Sequence, residues 1–168
     1  MRLAKASILL ALAAGVLAAT AAAVVPNRQP MQDGTLSVRD GRANVVLKLK
    51  GSVIGRLAKG TLTVTDPDGG ATVVVRGAEN ERNPTDKTTI YSGRAIRFRI
   101  ADDRRLTVKV AGKGLNLSAV GRGEGWLDGW GDPGEGVFFD GAYSLNGVDY
   151  PSLPNERMRF DLSAPAGP

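Results

Sequence analysis

Apolar and polar residues alternate along most of the chain after residue 33, with breaks at Gly, Asp, Asn and Pro. Residues 95–100 (AIRFRI) and 105–110 (RLTVKV) show the alternation most clearly. A period of two is typical of strands with one buried face, and no window shows the 3.6-residue period of an amphipathic helix. The pattern predicts strands near residues 35–40, 43–50, 58–66, 71–77, 88–92, 94–101, 105–113, 120–129, 136–145 and 157–163. Short strands with turn residues between them predict an all-β domain, a single antiparallel sandwich or barrel of about 8–10 strands.

Internal similarity adds a second architectural expectation. Residues 51–64 (GSVIGRLAKGTLTV) resemble residues 114–127 (GLNLSAVGRGEGWL), and residues 95–100 resemble residues 157–162 (RMRFDL). GTLSV at 34–38 and GTLTV at 60–64 also match. Two interpretations stay open: two similar β units that share one core, or chance resemblance between short β sequences of biased composition.

The N-terminal segment has the pattern of a signal peptide. Arg2 and Lys5 precede an uncharged run, residues 6–25, and three alanines lie near the end of that run, at 21–23. This order predicts a signal helix over residues 1–23 that is cleaved on export. The alternative is a retained membrane anchor, because an uncharged run of about 20 residues just spans a bilayer.

Removal of that segment leaves one domain. We expect a flexible lead-in at residues 24–33, the all-β domain at 34–163 and a disordered tail at 164–168. The expected location is secreted or in the cell envelope. Contact with a membrane is expected only if the N-terminal segment is retained.

Cysteine and histidine are both absent from the chain. Disulfides, thiol catalysis and zinc–thiolate sites are therefore excluded. The lack of histidine removes the Ser-His-Asp triad and the commonest metal ligand. We expect no cofactor and no metal, and any catalysis would depend on carboxylates, hydroxyls, Lys, Arg or Tyr.

The net charge is only moderately positive. Lys and Arg number 22 against 17 Asp and Glu, and Arg2 and Lys5 leave with the signal segment. So small an excess does not indicate nucleic-acid binding without a localised basic patch, and the basic residues are not interleaved with aromatic ones.

Four segments resemble small secreted proteins of high-GC Gram-positive bacteria. They are GTLTVTDPDG (60–69), RFRI (97–100), LSAVGRG (117–123) and DGAYSLN (140–146). The resemblance covers most of residues 34–163. That family is uncharacterised, so the resemblance implies an exported all-β protein and carries over no activity, ligand or site.

The stretch GRGEGWLDGWGDPGEG, residues 121–136, contains both tryptophans. From residue 121 to 131 the odd positions are glycine except for Leu127, and the even positions carry the large or charged side chains Arg122, Glu124, Trp126, Asp128 and Trp130. The 63-residue similarity aligns Gly125 and Leu127 with the apolar side of GTLTV. We therefore expect the glycine face to pack inward and the tryptophan face to point to solvent.

The outward face of this strand is the first candidate binding site. Trp126 and Trp130 would stand about 13 Å apart and flank Asp128, an arrangement that suits a sugar ring. With Glu124 they are the predicted ligand-binding residues.

Two alternatives stay open for the same stretch. In one, Trp126 closes the end of a small barrel and Arg122 pairs with Glu124. In the other, Asp128, Asp132 and Glu135 bind calcium, although the D-x-[DN]-x-[DN]-G spacing is missing. WGDPGEG (130–136) also reads as the turn of a hairpin between 120–129 and 136–145.

The second candidate is a basic stripe on the predicted hairpin 94–110. Arg97, Arg99 and Lys109 share its polar face, with Arg105 close by. A loop at 101–105 would set Arg97 opposite Lys109. Such a stripe could bind an anionic envelope polymer, or it could be a solvated face that prevents aggregation.

These observations favour a non-catalytic binding or structural module, with a glycan or an anionic envelope polymer as the expected partner. The alternative is a carboxylate-dependent polysaccharide hydrolase that uses a pair from Glu124, Asp128 and Asp140.

Overall fold

Seven antiparallel strands make up the part of the fold that the structure describes. The computed structural model describes residues 32–130 and 140–163. The strands are β1 (Gly34–Thr65), β2 (Thr72–Arg76), β3 (Asn80–Thr85), β4 (Thr88–Gly129), β5 (Ala142–Leu145), β6 (Val148–Tyr150) and β7 (Met158–Leu162). Within the described ranges they form one sheet in the order β2-β4-β1-β5-β6, with β3 and β7 also paired to β4, and the sheet does not close on itself.

The two long strands, β1 and β4, bend and pair with each other more than once. Val110 of β4 lies between two residues of β1, Val45 and Leu62. Val45 in turn lies between Val110 and Leu127 of β4. The two strands therefore wind as an antiparallel ribbon, and each turn brings new segments side by side.

This winding arranges the strands in two rows of seven segments. Neighbours across the first row are Glu81, Tyr91, Leu62, Val110, Val45, Leu127 and Met158. Neighbours across the second row are Val73, Ile100, Val53, Ala119, Leu36, Leu145 and Val148. β1 and β4 pass from one row to the other at each bend.

Glycine permits the close approach at these bends. Gly51 of β1 pairs with Gly121 of β4. Gly51 has a φ of +143°, which side chains rarely adopt, and a β-carbon there would lie 2.7 Å from the Cα of Gly121. Only two residues without side chains let the backbones meet at this distance.

Alternation along the bent strands fills a single hydrophobic core. Every second residue is buried, so the segments Val45–Leu49 and Leu106–Val110 turn one side inward. The largest fully buried side chains come from both rows: Leu36, Leu47, Leu49, Leu57, Leu62, Ile96, Ile100, Leu106, Leu115, Leu127 and Leu162. Within residues 32–130 and 140–163 every residue that is buried as a whole is apolar or glycine, although the side chain of Asp102 is also covered, with 1% of its surface exposed. Hydrophobic burial is therefore the main source of stability.

The all-β class and the antiparallel pairing are confirmed. Several predicted boundaries were wrong, because segments 51–57 and 114–119, treated as gaps, continue the long strands. β3 lies within the polar residues 78–87, for which no strand was predicted. Asn, Glu and Arg have low strand preference, and pairing with β4 overrides it.

The predicted hairpin 94–110 was wrong. Arg97 does not face Lys109, because β4 continues through residues 101–105 as strand and its two halves pair with different parts of β1. The predicted pairing of strand 136–145 with residues 120–129 is wrong for residues 142–145, since β5 pairs with β1 and β6, while residues 131–139 of the WGDPGEG turn lie outside the described residues. A five-residue loop suggested the first pairing and the Asp-Pro-Gly turn residues suggested the second, but long-range packing decided the pairing of β4 and β5.

Some expectations fall outside the described residues. These are the signal helix at 1–23, most of the lead-in at 24–33, the tail at 164–168, and Asp132 and Glu135 of the calcium alternative. Among the residues that the structure does describe, no helix is long and apolar enough to cross a membrane.

Candidate anion-binding face

Three arginines stand side by side on the outer surface of the second row. Arg97 of β4 pairs directly with Arg76 of β2 on one side and with Arg56 of β1 on the other. Arg99 lies two positions further along β4, on the same side of the strand. We call the surface formed by Arg56, Arg76, Arg97 and Arg99 the arginine face.

The arginine face borders a shallow, open depression of about 540 Å³. Apolar groups form part of its lining, because Ile54 and Val74 both pair with Arg99 and point outward. Ile54 is 56% exposed and Val74 is 45% exposed. The depression therefore combines cationic groups with uncovered aliphatic ones.

Carboxylates do not neutralise the arginine face. Within residues 32–130 and 140–163, none of its four arginines forms an ion pair. The nearby acidic groups are engaged elsewhere: Asp40 accepts a 3.0 Å hydrogen bond from Asn116, and Asp149 lies 3.9 Å from Arg39. Like charges directly opposed in a sheet destabilise it. The arrangement therefore lowers the stability of the sheet as long as no counter-charge is present.

Four further cations, also on β1 and β4, pair with one another close to the arginine face. Arg94 pairs with Lys59, Lys59 pairs with Lys113, and Lys113 pairs with Arg42. Repetition of the pattern extends the region of positive potential beyond the depression.

The structure separates the four basic residues that the sequence grouped together. Arg97 and Arg99 belong to the arginine face. Lys109 lies on the outer side of the first row between Val46 and Thr63, in a depression of about 390 Å³. Arg105 lines another depression, of about 400 Å³, with Lys48, Lys50, Arg122, Glu124 and Asp161.

Sequence reasoning missed Arg56 and Arg76. Residues 51–57 were not predicted to be a strand, although Val53 and Leu57 alternate with Ile54 and Arg56 in the usual way. The alternation was a usable signal, and the glycines at 51 and 55 concealed it. Arg76 lies in the predicted strand 71–77, but nothing in the sequence identifies β4 as the strand that pairs with it.

The glycine-rich strand has the expected orientation. Gly125 and Leu127 are buried, while Trp126 is half-buried on the outer side and Trp130 is 40% exposed. A β-carbon at Gly125 would lie 2.7 Å from the ring of Phe160. The missing side chain therefore makes room for the Phe160 ring in the core.

Cations of this protein surround the indole of Trp126. Lys48 lies 5.0 Å from the ring centroid, Arg157 lies 5.5 Å away and Arg159 lies 5.9 Å away. Glu124 accepts a 2.7 Å hydrogen bond from Arg159 and lies 3.7 Å from Lys48. We call the surface formed by Lys48, Glu124, Trp126, Asp128 and Arg159 the tryptophan face.

Of the other predicted ligand-binding residues, Asp128 is engaged through its side chain and Trp130 through its backbone only. Asp128 accepts a 2.8 Å hydrogen bond from the side-chain amide of Asn44. The backbone N–H of Trp130 donates to the carbonyl of Arg42, at 2.8 Å. Unlike the arginine face, this surface balances its cations with carboxylates.

Shifted pKa values occur away from both faces. The backbone N–H of Arg104 lowers the pKa of the Asp102 carboxyl. Burial raises the pKa of Tyr143, and neighbouring Tyr150 adds to that shift. Burial also raises the pKa of Tyr91, with a further contribution from Glu81.

The chemistry of the arginine face points to oxyanions. Guanidinium groups bind phosphate and carboxylate through pairs of parallel hydrogen bonds and stay charged at any physiological pH. In the part of the chain that the structure describes, no group of three or more acidic residues is placed to hold a metal ion. No family model, curated protein or solved structure matches this chain.

Proposed function

We propose that this chain is an exported, non-catalytic β module that binds a ligand carrying several phosphate or carboxylate groups at the arginine face. The observation that carries the proposal is the row Arg76–Arg97–Arg56, three adjacent cations on three paired strands with no described ion-pair partner. A bound polyanion would replace the missing counter-charges. It would also remove the repulsion between neighbouring arginines.

The finer architecture that we propose is a sandwich. The two rows carry buried residues on one side each, for example Leu47 in the first row and Val53 in the second. Packing of these two sides against each other would give one core and two outer faces. The arginine face and the tryptophan face would then lie on opposite surfaces.

A charge-reversal experiment tests the proposed function. We would measure the affinity of the full chain for inorganic polyphosphate, an anionic polymer with no apolar part. Arg97→Glu should weaken binding at least tenfold, because it removes charge-assisted hydrogen bonds at the arginine that lies between the other two. Affinity should also fall as salt is added.

Lys109→Glu provides the matched control. It makes the same change of charge at an outer position of the same strand, but between Val46 and Thr63. This variant should bind polyphosphate within about threefold of the wild type, since only screened long-range charge differs. Equal losses in the two variants would show that binding depends on net charge and not on the arginine face.

The hydrolase alternative has weaker geometric support. Glu124 and Asp128 lie four positions apart on one strand, so their side chains start about 13 Å from each other. Catalytic carboxylate pairs of glycosidases are about 5–10 Å apart. Glu124 is also occupied by Arg159.

Binding of a glycan at the tryptophan face remains the second proposal. A sugar that stacks on Trp126 would have to displace at least one of the three cations around the ring. Titration with cell-wall oligosaccharides tests it, with tryptophan emission of the wild type and of Trp126→Phe as the readout. A shift in the wild type alone would support this site.

A further inference from the structure

Exposed aliphatic residues cluster on the same surface as the arginine face. Six large hydrophobic residues are exposed in the described part of the chain: Ile54, Val74, Val120, Trp130, Val148 and Tyr150. Ile54 and Val74 line the depression itself. Val120, 44% exposed, points outward from the same row, one paired segment away from Ile54.

The exposed aliphatic side chains lie within a few ångströms to about 10 Å of the arginines, on neighbouring strands. Ile54 and Val74 flank Arg99 on the two neighbouring strands, so they stand about 10 Å apart. Arg56 and Arg76 lie two positions further along those strands, about 7 Å from the aliphatic pair. One small area of the surface thus carries the arginines and, beside them, the two exposed aliphatic side chains.

A soluble polyanion would use only half of this surface. Phosphate groups would satisfy the arginines, but Ile54 and Val74 would stay in water. An anionic bilayer offers both partners, because lipid phosphates lie directly above acyl chains. Long arginine side chains reach the phosphates while shorter aliphatic side chains enter the layer beneath.

We propose that the arginine face docks on the surface of an anionic phospholipid bilayer, with Ile54 and Val74 inserted among the headgroups. The inference rests on the proposed function and names its ligand: lipid phosphates held in a plane. It does not depend on whether the N-terminal segment is retained, because the docking surface belongs to the folded sheet.

Labelling at a single position tests the insertion. The chain has no cysteine, so Ile54→Cys gives one attachment point for an environment-sensitive dye. Asp161→Cys on β7 is the matched control, an exposed strand position on the outer side of the first row. The full chain is mixed with vesicles of phosphatidylcholine alone or of phosphatidylcholine and phosphatidylglycerol in equal parts.

The dye at position 54 should shift to the blue on the anionic vesicles only, and the dye at position 161 should not shift. Adding Arg97→Glu to the Ile54→Cys protein should weaken vesicle binding about fivefold or more, since each basic residue near an anionic surface contributes about that factor. Equal shifts at both positions, or equal shifts on both vesicle types, would overturn the proposal.

A double variant, Ile54→Ser with Val74→Ser, separates this inference from the proposed function. It should bind polyphosphate like the wild type and lose most of its affinity for anionic vesicles. Wild-type affinity of this variant for the vesicles would contradict insertion. Binding of polyphosphate by the wild type without any vesicle binding would overturn the bilayer proposal alone, and binding of neither would overturn both.

Discussion

Arg56 and Arg97 lie directly opposite each other on antiparallel strands, and Arg76 flanks Arg97 on its other side. Opposed residues have β-carbons about 5 Å apart, so the three positive charges repel one another. Such an arrangement lowers stability in the absence of a ligand.

The first prediction is that Arg97→Glu stabilises the protein while it weakens polyanion binding. The glutamate would replace two repulsive neighbours with two attractive ones. We expect a gain of about 0.5–1 kcal/mol at low ionic strength, or about 1–4 °C in melting temperature. Thermal melts at low and high salt check it, because screening should remove the gain. A lower melting temperature at low salt would show that Arg97 is needed for folding.

The second prediction concerns Gly51. Gly51→Ala forces a side chain into a φ of +143° and a β-carbon to 2.7 Å from the Cα of Gly121. We expect a loss of about 3 kcal/mol or more in the free energy of unfolding. Urea denaturation measures it.

Gly147→Ala is the control for Gly51→Ala. Gly147 has a φ of +83°, and a β-carbon there would meet nothing within 4 Å. This variant should lose only about 1 kcal/mol, the cost of the backbone conformation. Similar losses in both would mean that the close approach at Gly51 contributes little.

The third prediction is that the two tryptophans differ in their contribution to stability. Trp126 is half-buried and has three cations near its ring, so Trp126→Ala should cost about 1–2 kcal/mol. Trp130→Ala should stay within about 0.5 kcal/mol, because that side chain is 40% exposed. Chemical denaturation of both variants gives the comparison, and a larger loss for Trp130→Ala would contradict it.

The fourth prediction is a pH dependence at Asp102. Its side chain is 1% exposed, its Oδ1 accepts a 2.9 Å hydrogen bond from the N–H of Arg104, and its Oδ2 has no partner. That hydrogen bond lowers the pKa of the carboxyl below 3.8 in the folded state. The ionised Asp102 carboxylate therefore stabilises the folded state fully above pH 3.8. This stabilisation is lost as the pH falls through the lowered pKa of the folded state.

Unfolding free energies at pH 7 and at successively lower pH values test this. The wild type should lose stability on acidification, and Asp102→Asn should lose less over the same interval because it has no proton to gain. Asp68→Asn is the control, since Asp68 is exposed and lies away from Asp102 in the sequence. An Asp102→Asn profile parallel to the wild type would contradict the assignment.

Local patterns determined much of this protein. Alternation at residues 95–100 and 105–110 identified the strands and the buried positions Ile96, Phe98 and Val108, because a half-buried strand needs apolar groups on one side only. The same rule gave the orientation of the glycine-rich strand, with Leu127 inside and Trp126 outside. It also placed Arg97 and Arg99 on an outer surface.

Only the tertiary structure decided which outer positions are neighbours. Arg97 meets Arg56 and Arg76, which are 41 and 21 residues away in the chain, and Lys109 lies in another row although it is much closer in sequence than Arg56. The reason is physical: alternation fixes the side of a strand that each residue occupies, but the pairing of strands depends on how bent strands pack around a shared core. The arginine face exists because that winding brings three separate segments together.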